Sequence, residues 1–221
     1  MTNTIDNTLI DYSGSERSAI TGLFGKEYNY NLDESQIDYW SQISKSLFEN
    51  YLEKKMTFCE QGKIRIIKMG QYCGIQIGEE KAETMFKKYQ NELNNSWKLF
   101  DDVEETLCGL KDQRLGIISN GNAKQQQLKL TCTGIDHYFE IKIFSEDVGV
   151  AKPDVEIFKK AVLLSKEDNE HIIYVGDYLK TDILPCSEIG IKGVLIDRNN
   201  KYDTECDKIS NLAELLKYKI D

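Results

Sequence analysis

Histidine and proline are scarce in this chain, with two of each in 221 residues. With so little proline, and no serine-rich tract, no recognisable linker divides the sequence. His137 and His171 are not grouped with the six cysteines, Cys59, Cys73, Cys108, Cys132, Cys186 and Cys206. No two cysteines form a C-x-x-C pair, so zinc-site spacing is absent. Thiols dispersed along a chain of this length read as reduced and partly buried. No run approaches 18 apolar residues, which excludes a membrane-spanning helix. The N-terminus lacks a basic segment followed by an apolar run, so no signal peptide is read there. Positive charge is in deficit: 28 Lys and Arg face 37 Asp and Glu, for a net charge of −9. A surface of that sign repels nucleic-acid backbones and anionic lipid, so neither a nucleic acid polymer nor a membrane is an expected partner. A small anionic ligand stays open, because a local pocket can be positive on an acidic protein. The absences together describe a cytoplasmic globular protein.

What is present falls into two textures. From residue 14 to about 95 the apolar pattern is helical. Ile37, Trp40, Ile43, Leu47 and Tyr51 recur at spacings of three and four, with Phe48 and Leu52 widening the face. Asp33 followed by Gln36 resembles a helix-opening capping pair. Ala82, Met85, Phe86 and Tyr89 repeat the spacing. No convincing strand interrupts this block, which reads as a bundle of four or so helices. Its aromatic residues, among them Tyr12, Phe24, Tyr39 and Trp40, read as packing rather than base-stacking groups.

From residue 96 onward, short apolar runs alternate with helical patterns. "RLGIIS" (114–119), "IKIFS" (141–145), "HIIYVGD" (171–177) and "GVLID" (193–197) suit parallel strands covered on both faces. Helix-like stretches lie near 122–131, 154–164, 180–189 and 210–217. This alternation predicts a doubly wound, Rossmann-like parallel α/β sheet. The expected domains are a core of residues 1–13 and 96–221 and an inserted all-helical cap of residues 14–95.

Polar groups gather at the expected C-terminal strand ends, where open α/β sheets bind ligands. Ser119, Asn120 and Gly121 end one strand, Lys152 and Pro153 follow another, and Asp177 and Asp182 end a third in "VGDYLKTD". A serine hydroxyl and backbone N–H groups suit phosphate oxygens. A lysine adds a compact positive charge beside the same anion. Two carboxylates at D-x-x-x-x-D spacing suit Mg²⁺, which favours oxygen ligands and substrate phosphates.

In order and spacing, "DNTLID" (6–11), "LGIISNG" (115–121), "SEDVGVAKPDVEIF" (145–158) and "IIYVGDYLKTDI" (172–183) resemble the haloacid dehalogenase superfamily. Most members of that superfamily are Mg²⁺-dependent phosphatases. The resemblance runs over essentially the whole chain, and is closest to members of the pyrimidine 5′-nucleotidase and phosphoglycolate phosphatase type. It implies a phosphomonoesterase acting on a small phosphorylated substrate through an aspartyl-phosphate. Asp6 would then be general acid and base, and would offer a backbone carbonyl to the metal. Ser119, with Asn120 and Gly121, would hold the phosphoryl group. Lys152 would neutralise it, and Asp177 would bind Mg²⁺ with Asp182 in support.

The family motif D-x-D-x-T puts its nucleophilic aspartate at position 4, where this chain has Thr4. Only Met1, Thr2 and Asn3 precede it, too few and too polar for a buried central strand. The first central strand is therefore expected to be short or missing, and turnover impaired. An alternative register makes Asp6 the nucleophile. A non-catalytic protein binding a phosphorylated ligand or a protein partner is the runner-up. A phosphoreceiver domain fits poorly, because "AKP" precedes the "GD" strand and about 80 helical residues intervene.

Overall fold

A computed structural model describes residues 1–218 of the chain. Six strands form one parallel sheet: β1 (Thr2–Asn3), β2 (Gly116–Ser119), β3 (Ile141–Phe144), β4 (Ile173–Gly176), β5 (Lys192–Ile196) and β6 (Lys208–Ile209). Their spatial order is β3-β2-β1-β4-β5-β6, so the winding reverses beside β1. The middle of the sheet is thus one of its two shortest strands, each of two residues. β1 pairs with β2 through Thr2↔Gly116 and with β4 through Thr2↔Tyr174. Two further backbone bonds extend it: Gly116 N donates to the Met1 carbonyl at 2.9 Å, and Thr4 N to the Val175 carbonyl at 3.0 Å. Asn3 is buried there with its side-chain oxygen unpartnered, a poor filling for a sheet interior.

The other strands form because β-branched residues fill both faces. All four residues of β2 and of β4 are buried. Ile118, Ile143, Ile157, Phe158, Tyr174 and Cys186 pack into one apolar cluster against the sheet.

The chain packs as two units, one of Met1–Asp11 with the chain from Lys98 onward, the other Tyr12–Trp97. The second holds α1 (Tyr12–Tyr28), α2 (Glu34–Leu52), α3 (Phe58–Tyr72) and α4 (Glu79–Asn94). Helix α2 opens as its sequence predicts: Gln36 N donates to Asp33 Oδ1 at 2.9 Å and Asp33 N to Gln36 Oε1 at 3.0 Å. Thr57 and Glu60 build a second such box on α3. Trp40, Met85, Phe86 and Tyr89 are buried.

In the sheet-containing unit the helices are α5 (Val103–Gly109), α6 (Ala123–Cys132), α7 (Ser145–Val148), α8 (Val155–Ser165) and α9 (Leu184–Glu188). A π-helical turn, Leu179–Ile183, leads into α9, so the single helix expected near 180–189 is two segments. β6, α5 and α7 are additions to the expected set. Among the described residues the cysteines are free, and Cys59, Cys108 and Cys132 are exposed, so burial extends to fewer thiols than expected. No helix among the described residues is long and apolar enough to cross a membrane.

The helical unit is built around a buried ion pair. Arg65 Nη2 donates to Glu16 Oε1 at 2.6 Å and also bonds to Ser44, and the guanidinium lies 4.3 Å from the centre of the Trp40 ring. Removing one partner of such a pair leaves a bare charge in the core. Arg65→Met is therefore expected to lower unfolding free energy by about 3 kcal/mol, read from denaturant midpoints. Adding Glu16→Gln should recover part of that loss; equal additive losses would show the two groups to be independent.

Candidate functional site

The loop after β1 is closed on itself. The Ile5 carbonyl accepts from Leu9 N at 2.9 Å and Ile10 N at 3.1 Å, and Asn7 N donates to the Ile10 carbonyl at 2.8 Å. Asn7 turns the chain through a left-handed conformation (φ 55°) that asparagine tolerates. From the loop after β5, Arg198 Nη2 donates to the Thr8 carbonyl at 2.8 Å, while the same guanidinium makes a two-pronged pair with Asp102. Thr4 and Asp6 are thereby held at the C-terminal end of the central strand, where the sheet reverses its winding and ligands bind in such folds.

Around Thr4 the structure assembles a buried polar network. Lys152 Nζ donates to Thr4 Oγ1 at 3.0 Å, to the Tyr174 hydroxyl at 2.8 Å and to Asp182 Oδ1 at 2.6 Å. An ammonium has three hydrogens, and all three are engaged. Burial and the neighbouring Asp182 push the Tyr174 phenol well above its ordinary range, so it stays protonated and donates to Asp182 Oδ1 at 3.0 Å. Asp182 Oδ2 accepts from Tyr178 N at 3.1 Å. Gly176 makes that approach possible, since a Cβ there would lie 2.5 Å from the Asp182 Cβ. Among the described residues the Thr4 hydroxyl is thus held by an ammonium, which cannot take its proton.

The strand-end loops are tied together as well. Asn120 accepts from Lys152 N and donates to the Lys152 carbonyl, each at 2.8 Å. This reciprocal pair joins the end of β2 to the loop before α8. Ser119 is buried, and its Oγ accepts from Gln126 Nε2 at 2.9 Å. Gly121, at φ 128°, spends its N–H on Ser145 Oγ at 2.9 Å. That amide therefore serves the loop's own architecture. Asp6 is held from α6: Lys129 Nζ reaches its two carboxylate oxygens at 2.7 and 2.8 Å.

Asp177 differs from the other carboxylates. Burial, and then the adjacent Asp182, push its carboxyl up to about 7 against the pull of Lys152. A carboxylate under that strain fits a missing countercharge. Among the described residues no three His, Cys, Asp or Glu side chains cluster for a metal. A cation here would instead depend on Asp177, the Asp6 carbonyl and oxygens of its ligand. That set suits Mg²⁺, which leans on one or two carboxylates together with phosphate oxygens and water.

The family model described as haloacid dehalogenase-like hydrolase matches residues 5–196. The chain belongs to this family. The match begins one residue after Thr4. Among its relatives, the glyceraldehyde 3-phosphate phosphatase of Methanothermobacter thermautotrophicus is 33% identical over 131 residues, 53% of this chain and 58% of that protein. The pyrimidine 5′-nucleotidase YjjG of Escherichia coli is 34% identical over 93 residues, 42% of this chain and 41% of that one. The chain thus spans about half the length of these relatives. The magnesium-bound structure of the hydrolase YfnB from Bacillus subtilis superposes with a TM-score of 0.83 at 24% identity, covering 98% of this chain and 96% of that one. That likeness fixes the fold: the parallel sheet and its flanking helices are those of the haloacid dehalogenase-like hydrolases.

Within this family member, the residues singled out from sequence lie together as follows. Thr4, Lys152 and Asp182 share one network, Ser119 and Asp6 share Gln126, and Asn120 links to Lys152. Tyr174, Gln126 and Lys129 went unnoticed in the sequence. One signal was available for the last two: "AKQQQLKLTC" offers α6 little apolar surface to bury, and its inward residues are Gln126, Lys129 and Leu130.

The displaced titration of Asp177 has a consequence for stability. Its folded pKa of about 7 exceeds the ordinary aspartate value of 3.8. The folded state therefore binds more protons than the unfolded state across that window, and this group's contribution falls as pH rises from about 4 to 7. In metal-free protein, the melting temperature of Asp177→Asn minus that of the parent should grow across the same interval. A difference that stays constant with pH would assign the strain to another group.

Proposed function

We propose that this chain is the scaffold of a Mg²⁺-dependent phosphomonoesterase for a small phosphorylated metabolite, with nucleoside monophosphates among the candidates. Turnover is impaired because Thr4 stands where the attacking carboxylate belongs. The observation that carries this reading is the position of Thr4 Oγ1, 3.0 Å from the buried ammonium of Lys152 at the C-terminal end of the central strand. Family membership supports the reaction class. The helical unit, Tyr12–Trp97, would serve as the cap that chooses the substrate.

Each residue has a part in this chemistry. Ser119 would donate its hydroxyl hydrogen to a phosphoryl oxygen. In a complete site a carboxylate at position 4 would attack phosphorus as the bond to the leaving alcohol breaks. Asp6 would give that alcohol its proton and then take one from the water that cleaves the aspartyl-phosphate. Lys152 and Asp182 would keep the attacking group aligned. Asp177 and the Asp6 carbonyl would hold Mg²⁺, which when bound offsets negative charge on the phosphoryl oxygens. Thr4 is neutral and is held by an ammonium that cannot act as a base, so attack from position 4 lacks an activated nucleophile.

A second reading has an observation of its own. Because every Lys152 hydrogen is engaged within the protein, the site is already satisfied around Thr4, as suits a domain that binds a phosphorylated ligand or partner without turning it over.

The test is a repaired chain, Thr4→Asp with Asn3→Val, the second change removing the unpartnered buried amide. Phosphatase activity against nucleotides and sugar phosphates should rise by at least about a thousandfold, the scale on which loss of a nucleophile acts. It should vanish when Mg²⁺ is chelated. A folded repaired chain that stays inert would refute the enzyme reading. For the binding reading, Mg²⁺ and inorganic phosphate together should raise the parent's melting temperature more than either does alone; no shift would count against it.

A further inference from the structure

Among the described residues Lys129 is the least exposed of the lysines and arginines. Its side chain is 2% exposed, whereas that of its partner Asp6 is 30% exposed. An ammonium taken out of water is costly unless a counter-ion and hydrogen bonds replace its hydration. Here the replacement is the Asp6 carboxylate, gripped through both oxygens at 2.7 and 2.8 Å. The two residues are separated by 123 positions in sequence, so only the tertiary fold brings them together.

A second prong comes from the same helix. Gln126 lies three residues before Lys129, hence on the same face of α6. Its Nε2 reaches Asp6 Oδ2 at 3.3 Å, Ser119 Oγ at 2.9 Å and the Asn120 carbonyl at 2.6 Å. One amide therefore ties the Asp6 carboxylate to the end of β2. The backbone on the other side of Asp6 is fixed by the closed loop of residues 5–10.

The geometry points to a clamp: Lys129, assisted by Gln126, is a positioning residue that fixes the direction in which Asp6 presents its carboxylate. The clamp rests on the phosphohydrolase reading for its purpose, since Asp6 is the acid–base group there, though its existence does not. A buried lysine whose only task was packing would be replaced at lower cost by an apolar residue. Its two-oxygen grip removes the rotation that a half-exposed aspartate would otherwise have.

Two measurements decide the matter. The first uses the chain as it exists. Asp6→Asn removes the carboxylate that faces the buried ammonium and should lower the melting temperature more than Lys129→Met does. Adding Lys129→Met to Asp6→Asn should then raise the melting temperature again. If Lys129→Met lowers it equally with and without Asp6, the clamp is overturned. The second uses the repaired form, Thr4→Asp with Asn3→Val. There Lys129→Met should lower kcat by about a hundredfold, the scale of a misplaced reacting group, while KM changes little. Lys129→Arg, which keeps charge and reach, should restore most of the rate. A kcat untouched by Lys129→Met would show Lys129 to be structural and overturn its positioning role. An inert repaired form with the melting cycle still coupled would overturn the phosphohydrolase reading and leave the clamp on Asp6 standing.

Discussion

The buried ammonium of Lys152 is the constraint around which the sheet's working end is arranged. A charge in that position demands acceptors on every hydrogen, and three different elements supply them: Thr4 after β1, Tyr174 within β4 and Asp182 in the π-helical turn. Asp182 in turn must come close to β4, which the missing side chain of Gly176 allows. Asn120 holds the Lys152 backbone from the neighbouring strand end. The strand-end loops are thus locked together by the hydration needs of one lysine. In the reading proposed above, Thr4 in place of a carboxylate keeps an acceptor for that lysine while removing a negative charge.

That removal changes the balance at the site. Lys129 and Lys152 face Asp6, Asp177 and Asp182. Asp6 and Asp182 have direct cationic partners, and Asp177 is pushed toward neutrality. The least compensated carboxylate is thus Asp177, although Lys152 pulls against its neutralisation. Any ligand of this chain has to answer to that asymmetry, because an anion without an accompanying cation meets an already strained carboxylate.

Much of the fold was legible because parallel strands need continuous apolar runs. β2, β3, β4 and β5 stood out for that reason, and the polar groups just past their ends marked the site. Asp33 and Gln36 announced α2 through a purely local bond pattern. The rest depended on tertiary context. β6 is two residues, Lys208 and Ile209, and has no periodicity to detect. α7 is a four-residue turn of Ser, Glu, Asp and Val. Tyr174 reads as one more apolar strand residue, because nothing local shows that its hydroxyl ends beside Lys152. Lys129 reads as a solvated helix lysine, because its burial depends on an aspartate at the far end of the chain.

The pairing of β1 also bears on how the molecule assembles. Its two neighbours in the sheet begin at Gly116 and Ile173, and a whole helical unit intervenes in the chain. Closing loops of that size carries a large entropic cost before any ladder bond repays it. The helices of Tyr12–Trp97 make contacts nearer in sequence and can gather first. With only Thr2 and Asn3 to offer, the central strand has little to draw it in early, so on chain-entropy grounds the hinge point of the sheet is the last of its strands to take its place.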